Sequence, residues 1–187
     1  MTDREILDFL KIAERLKDNT RHCTTSNRRP ESVAEHSWRV SLLAMLLEDE
    51  IKDADFNKII RMCIIHDLGE AITGDIPSFW KTKEDSDHED DMIWQWMDTL
   101  PEPQRSRFCS LFEEMNRQET REAKIYKALD KLEAVIQHNE SPLDTWIPLE
   151  YELNQIYGTE EAKCHPKLES LRRLVAEDTA AKLEKGE

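Results

Sequence analysis

Four side chains set the chemical question: His36, the adjacent pair His66 and Asp67, and Asp130. Each borders a stripe of apolar residues at helical spacing, where a histidine or an aspartate needs a partner. Imidazole nitrogen and carboxylate oxygen together suit a divalent transition metal, and a site with only these protein ligands leaves positions for water and substrate. A bound cation of this kind can hold a small anion and activate a water beside it. Glu70 lies four residues beyond His66. On a continuing helix it faces the same side and can accept a proton from that water. Lys81, in SFWKTK, is a further cation for a small anion.

Helices must carry these groups. Ile6, Leu7, Leu10, Ala13 and Leu16 mark an amphipathic helix over about Thr2–Lys17. The polar stretch from Asp18 to Ser32, with a proline, reads as a surface loop. A second helix starts at Ser32 or Val33, with Ser32 as N-cap, Glu35 completing a capping box, and Val40, Leu43, Ala44 and Leu47 as its buried stripe. A third, from about Phe56, presents Ile59, Ile60, Cys63 and Ile64 and runs into His66 and Asp67. Gly74 and Pro77 interrupt the pattern, and the charged run from Lys81 to Asp91 reads as a loop or lid, its acids EDSDHEDD solvated. Further helices are expected from about Glu89 to Leu100, Pro103 to Asn116, Thr120 to Asn139 and His165 to Lys185. In the segment after Thr120, Ile125, Leu129, Leu132 and Ile136 place Asp130 beside the apolar stripe. No strand-like alternation competes, and the terminal AAKLEKGE should fray.

The 187 residues fit one all-α domain, and 4 glycines argue against a sheet-and-turn protein. A net charge of −14 argues against a broad grip on a nucleic-acid polymer or an anionic membrane. The 4 cysteines form no C-x-x-C pair, so a zinc ribbon or redox motif has no support. No apolar run approaches the roughly 20 residues that cross a bilayer, and the N-terminus lacks a signal-peptide core; a cytoplasmic protein is expected.

The motifs PESVAEHSW around His36, IIHDLGEAITGDIP around the doublet and KALDKLEA around Asp130 together resemble the HD-domain metal-dependent phosphohydrolases, most of all the bacterial 5′-deoxynucleotidase branch and its eukaryotic relatives. The resemblance covers roughly residues 6–140, with additional C-terminal helix beyond. It implies a compact HD-domain helical bundle and one divalent metal (Mn, Co, Fe, Zn or Mg) held by His36, His66, Asp67 and Asp130. It also implies that Glu70 and Asp75 act beside the metal on water or sugar, and that Arg21, 15 residues before His36, contacts the phosphate. Where the bacterial enzymes have a tryptophan after this arginine, this chain has His22, which can stack on or hydrogen-bond a nucleoside. The implied activity is hydrolysis of deoxyribonucleoside 5′-monophosphates to deoxynucleosides and phosphate. The alternatives are a phosphatase for another small phosphate or phosphonate, and a non-catalytic metal-dependent nucleotide sensor. His88, His138 and His165 lack a matching ligand partner and receive no role. Trp94 and Trp96, two residues apart, cannot share one helical face; one is expected inside and the other at a lid or, more economically, a homodimer interface.

Overall fold

The computed structural model describes residues 1–186. Helix α1 (Asp3–Ala13) begins at a capping box between Thr2 and Glu5 and passes into a 3-10 turn, Glu14–Lys17. Its stripe is only partly used: Phe9 stacks on Trp96 at 4.5 Å and Leu16 is buried, while Ile6, Leu7 and Leu10 remain exposed.

The segment expected to be a loop instead pairs with itself. Strands β1 (Thr20–Thr24) and β2 (Pro30–Ser32) run antiparallel, Thr20 opposite Ser32 and Thr24 opposite Pro30. β1 contributes Arg21, His22 and Cys23 to the lining of a cleft, while Glu31 and Ser32 of β2 are buried behind it. β2 delivers Ser32 directly to the N-cap of α2 (Val33–Leu47), where Ser32 and Glu35 form the expected capping box. That box starts the helix one turn before His36 and so fixes its phase: Val33, His36, Val40, Ala44 and Leu47 point inward.

Helix α3 (Phe56–Ile65) buries Phe56, Ile59, Met62, Cys63 and Ile65. Ile64, expected inside, is exposed, because the inward face follows Ile59, Cys63 and then His66 at i, i+4 and i+7. The helix unwinds into turns at His66–Gly69 before the short α4 (Glu70–Thr73). Helix α5 (Lys83–Met97) corrects a second expectation, since the acidic run is helical. Thr82 caps it, exchanging hydrogen bonds with Asp85, and the acids lie mostly on its solvent side. Both tryptophans pack inward: Trp96 is buried against Phe9, and Trp94 lies edge-on to Phe112 of α6 (Gln104–Arg117), because α5 is wedged between α1 and α6.

The central strut is α7 (Arg121–Glu140), which packs on α2, α3 and α6. Ile125, Leu129 and Ala128 join Val40, Ala44, Ile59 and Met62 in the main core. On its far side lie α8 (Glu150–Ile156), α9 (Thr159–Ala162) and α10 (Pro166–Lys185). α10 runs through Lys185, and His165 is its N-cap, accepting the Lys167 N–H at 3.1 Å. No described helix is long and apolar enough to cross a membrane.

Candidate active site

The four candidate ligands arrive from three elements and meet. His36 comes from the first turn of α2, His66 and Asp67 from the unwound end of α3, and Asp130 from the middle of α7. His36 Nε2 lies 3.1 Å from Asp130 Oδ1, His66 Nε2 lies 3.1 Å from Asp67 Oδ2 and 3.6 Å from Asp130 Oδ1, and His36 Nε2 lies 3.9 Å from Asp67 Oδ2. The break after Ile65 lets neighbouring His66 and Asp67 converge, which a regular helix opposes by separating them about 100°.

The far nitrogens of both imidazoles are occupied. His66 Nδ1 donates to the Cys63 carbonyl at 2.9 Å, and His36 Nδ1 bonds Glu133. Both Nε2 atoms therefore turn toward the shared centre. His66 Nε2 and Asp67 Oδ2 are buried without an aligned hydrogen bond among the described residues. Each Nε2 lies within 4 Å of both carboxylates, and ligand atoms of His36, His66 and Asp67 lie within 4.8 Å of one another; with buried polar atoms left over, this donor set fits a divalent cation. Without one, burial opposes the charge on His66 but Asp67 and Asp130 lift its pKa to about 10. Burial likewise opposes the charge on Asp130, yet Lys127, whose ammonium donates to Asp130 Oδ2 at 2.7 Å, holds it well below the usual carboxylate range.

Around this centre opens a cleft of about 220 Å³. Every other candidate residue lines it: Arg21, His22, Glu70, Asp75 and Lys81. Arg21 Nη1 lies 3.6 Å from Asp67 Oδ2, and its Nε lies 3.3 Å from the buried Glu31, which anchors the guanidinium from behind. Glu70 follows a turn rather than a continuing helix, yet Asn19 holds its carbonyl and its side chain stays with Asp67 in the cleft wall. Burial, with repulsion from Asp67 and Asp75, pushes Glu70 up to about 10. Asp75 follows Gly74, whose φ of +79° makes the turn, and is also raised by burial while Arg21 opposes the shift. Lys81 is paired with Glu89 of α5.

Several participants escaped the sequence reading. Glu133 and Lys127 flank Asp130 at i+3 and i−3 on α7, so helical periodicity held the signal. His138 was given no role, but it lines the cleft with its Nε2 3.2 Å from Glu150 Oε1. Glu150 and Asn154, both buried, have no local motif. His88 is exposed.

The description "HD domain" matches residues 13–172. The chain belongs to the HD domain family. It is 33% identical over 141 residues to the human protein named 5′-deoxynucleotidase HDDC2, covering 73% of this chain and 68% of that protein, and 33% identical to the Dictyostelium discoideum protein of the same name, covering 70% and 74%. A predicted metal-dependent phosphohydrolase from Magnetospirillum magnetotacticum superposes with a TM-score of 0.81 over 96% of this chain and 95% of that one; at 22% identity it shows the shared fold. A conserved hypothetical protein from Pyrococcus furiosus is 31% identical, with a TM-score of 0.64 over 89% and 99%. The chain is a hydrolase of this family, and membership implies a divalent metal, for which the cluster above is the candidate site.

Proposed function

We propose that this HD domain hydrolyses deoxyribonucleoside 5′-monophosphates to deoxynucleosides and inorganic phosphate. One observation carries the reading: Asp67 and Asp130, the two carboxylates that hold His36 and His66 within 4 Å from behind, line the same cleft as Arg21, Glu70 and Asp75. The relatives' name, 5′-deoxynucleotidase, supports it. Those four residues would hold the divalent metal, which supplies Lewis-acid activation of the phosphate and of a water. Arg21, braced by Glu31, orients phosphate oxygens, and Lys81 and Lys127 add positive charge to the same cleft. Glu70 and Asp75, both raised by burial, hold and release the protons that the attack and the leaving 5′-oxygen require.

The sequence-based homodimer moves to another surface, because neither tryptophan is left outside for it: Trp96 is buried and Trp94 packs on Phe112. The face of α2 opposite His36 carries Trp38, Leu42, Met45 and Leu46, exposed by 64%, 39%, 58% and 70%. In this reading the stripe meets the same stripe of a second copy about a two-fold axis. Leu46→Glu should then give a monomer in sedimentation; a wild-type monomer refutes it. A cytoplasmic location belongs to the same reading and fits the four unpaired thiols.

The deciding experiment is phosphate release from deoxy- and ribonucleoside monophosphates after chelation and re-addition of Mn, Co, Fe, Zn or Mg, with Asp67→Ala as control. Turnover of deoxymonophosphates that disappears in the variant supports the proposal. Selective release from another phosphate, or binding without turnover, overturns it.

A further inference from the structure

His138 lies eight residues beyond Asp130 on α7, about 12 Å further along the helix axis. There the cleft ends in a polar cluster that the chemistry above does not use. Glu150 and Asn154 stand four apart on one face of α8, at 1% and 3% exposure, and both line the cleft. Glu150 Oε2 accepts the Ile147 backbone N–H at 2.8 Å, and its Oε1 sits between two imidazoles, 3.0 Å from His22 Nε2 and 3.2 Å from His138 Nε2. Even so, Glu150 Oε1, His22 Nε2 and Asn154 Nδ2 make no aligned hydrogen bond among the described residues. Glu150 Oε1 and His22 Nε2 attract each other in poor alignment, while Asn154 Nδ2 has no hydrogen-bond partner at all; buried polar atoms carry a cost when unmet, so this cavity wall marks a place where a ligand completes the set.

The ligand's character follows from the surroundings. Arg21, Lys81 and Lys127 gather the positive charge at the Asp130 end. At the α8 end burial disfavours charge, raising the Glu150 carboxyl and lowering His138 to about 3. A second phosphate is a poor match for such a pocket; a flat, neutral, hydrogen-bonding group is a good one. Phe79 supplies an aromatic wall, edge-on to His22 at 5.5 Å. Glu150 and Asn154 offer complementary polar atoms side by side, and each nucleobase presents a donor next to an acceptor on its pairing edge.

We propose that His22, His138, Glu150 and Asn154 form a nucleobase subsite, in which Glu150 and Asn154 engage the hydrogen-bonding edge of the base and His22 with Phe79 flanks its ring. This deepens the nucleotidase reading and rests on it for the phosphate's position. The test uses the metal-loaded protein with dTMP and dAMP against 2-deoxyribose 5-phosphate, which has the sugar and phosphate but no base. Glu150→Gln, which turns an amide N–H toward the cleft, and Asn154→Leu, which removes the donor, should each lower the nucleotide-to-sugar-phosphate ratio of kcat/KM at least tenfold, through KM. Calorimetry of thymidine and deoxyadenosine binding to the metal-free protein should show the same tenfold weakening. An unchanged ratio with unchanged nucleoside binding overturns the subsite, and so does an equal loss on both substrates. If the wild type hydrolyses none of the three, the nucleotidase reading fails, and nucleoside binding judges the subsite by itself.

Discussion

His36 is held from both sides by one helix: its Nδ1 bonds Glu133 and its Nε2 lies 3.1 Å from Asp130, three residues earlier on α7. Glu133 is essentially buried, and Arg39 approaches its other oxygen at 3.6 Å. A single turn of α7 thus supplies both a proposed metal ligand and the group that orients the imidazole opposite it.

Glu133→Gln should therefore weaken the metal site without removing a ligand. An amide cannot support the imidazole as a carboxylate does, and loss of such an outer partner typically costs about 10–100-fold in metal affinity. Titration of the chelated variant with Mn or Co, followed by calorimetry, checks this. Affinity equal to wild type would mean that packing alone orients His36.

A backbone position near the cleft gives a separate test. Gly158, between α8 and α9, has a φ of +75°, and a Cβ there would lie 2.9 Å from the Lys131 Cβ on α7. Gly158→Ala meets both the left-handed penalty of roughly 1–2 kcal/mol and a clash against a packed helix. Thermal unfolding should show a Tm several degrees lower. Gly186→Ala also has positive φ but open space around it, and should fall less.

The convergence of the candidate ligands was legible in the sequence because its motifs are local: capping box, helix and histidine lie within a few residues around His36. The misread elements failed for identifiable reasons. β1 and β2 are short and polar, and their pairing shows no alternation of apolar residues. The start of α5 was obscured by its acids, although Thr82 and Asp85 carry the spacing of a capping box. The polar end of the cleft was beyond reach, since His22, His138 and Glu150 come together only when α8 closes on β1 and α7.

Glu35 links stability to acid. Arg29 and the Ser32 N-cap hold its carboxyl down, from 4.5 to about 2. A lowered carboxyl pKa contributes stability above the unfolded value and loses it as pH falls through the folded one. Its contribution should disappear between about pH 4.5 and 2. Because Glu35 is substantially exposed, solvent screening keeps the effect small. Glu35→Gln should be slightly less stable than wild type at pH 6 and equal to it near pH 2, as measured by urea midpoints. A difference that persists at low pH would contradict this account.

Under the proposed ligation, metal and proton compete for the same nitrogen at His66. In the metal-free protein its pKa rises from 6.5 to about 10 through Asp67 and Asp130, against the pull of burial. A ligating imidazole must be neutral, so binding releases that proton and affinity rises with pH. Calorimetric titration in buffers of different ionisation enthalpy, at pH 7 and 8, should show proton release and a several-fold higher affinity at pH 8. The metal-free protein should show the opposite trend in stability. A raised histidine pKa stabilises fully below 6.5, and that contribution is lost as pH climbs toward about 10. Glu70, raised from 4.5 to about 10, acts in the same direction, because the fold disfavours its charged form. Chelated protein should thus lose Tm from pH 6.5 to 9, and Glu70→Gln, which cannot ionise, should lose less. Metal affinity flat across this range would mean that His66 is already neutral before the metal arrives.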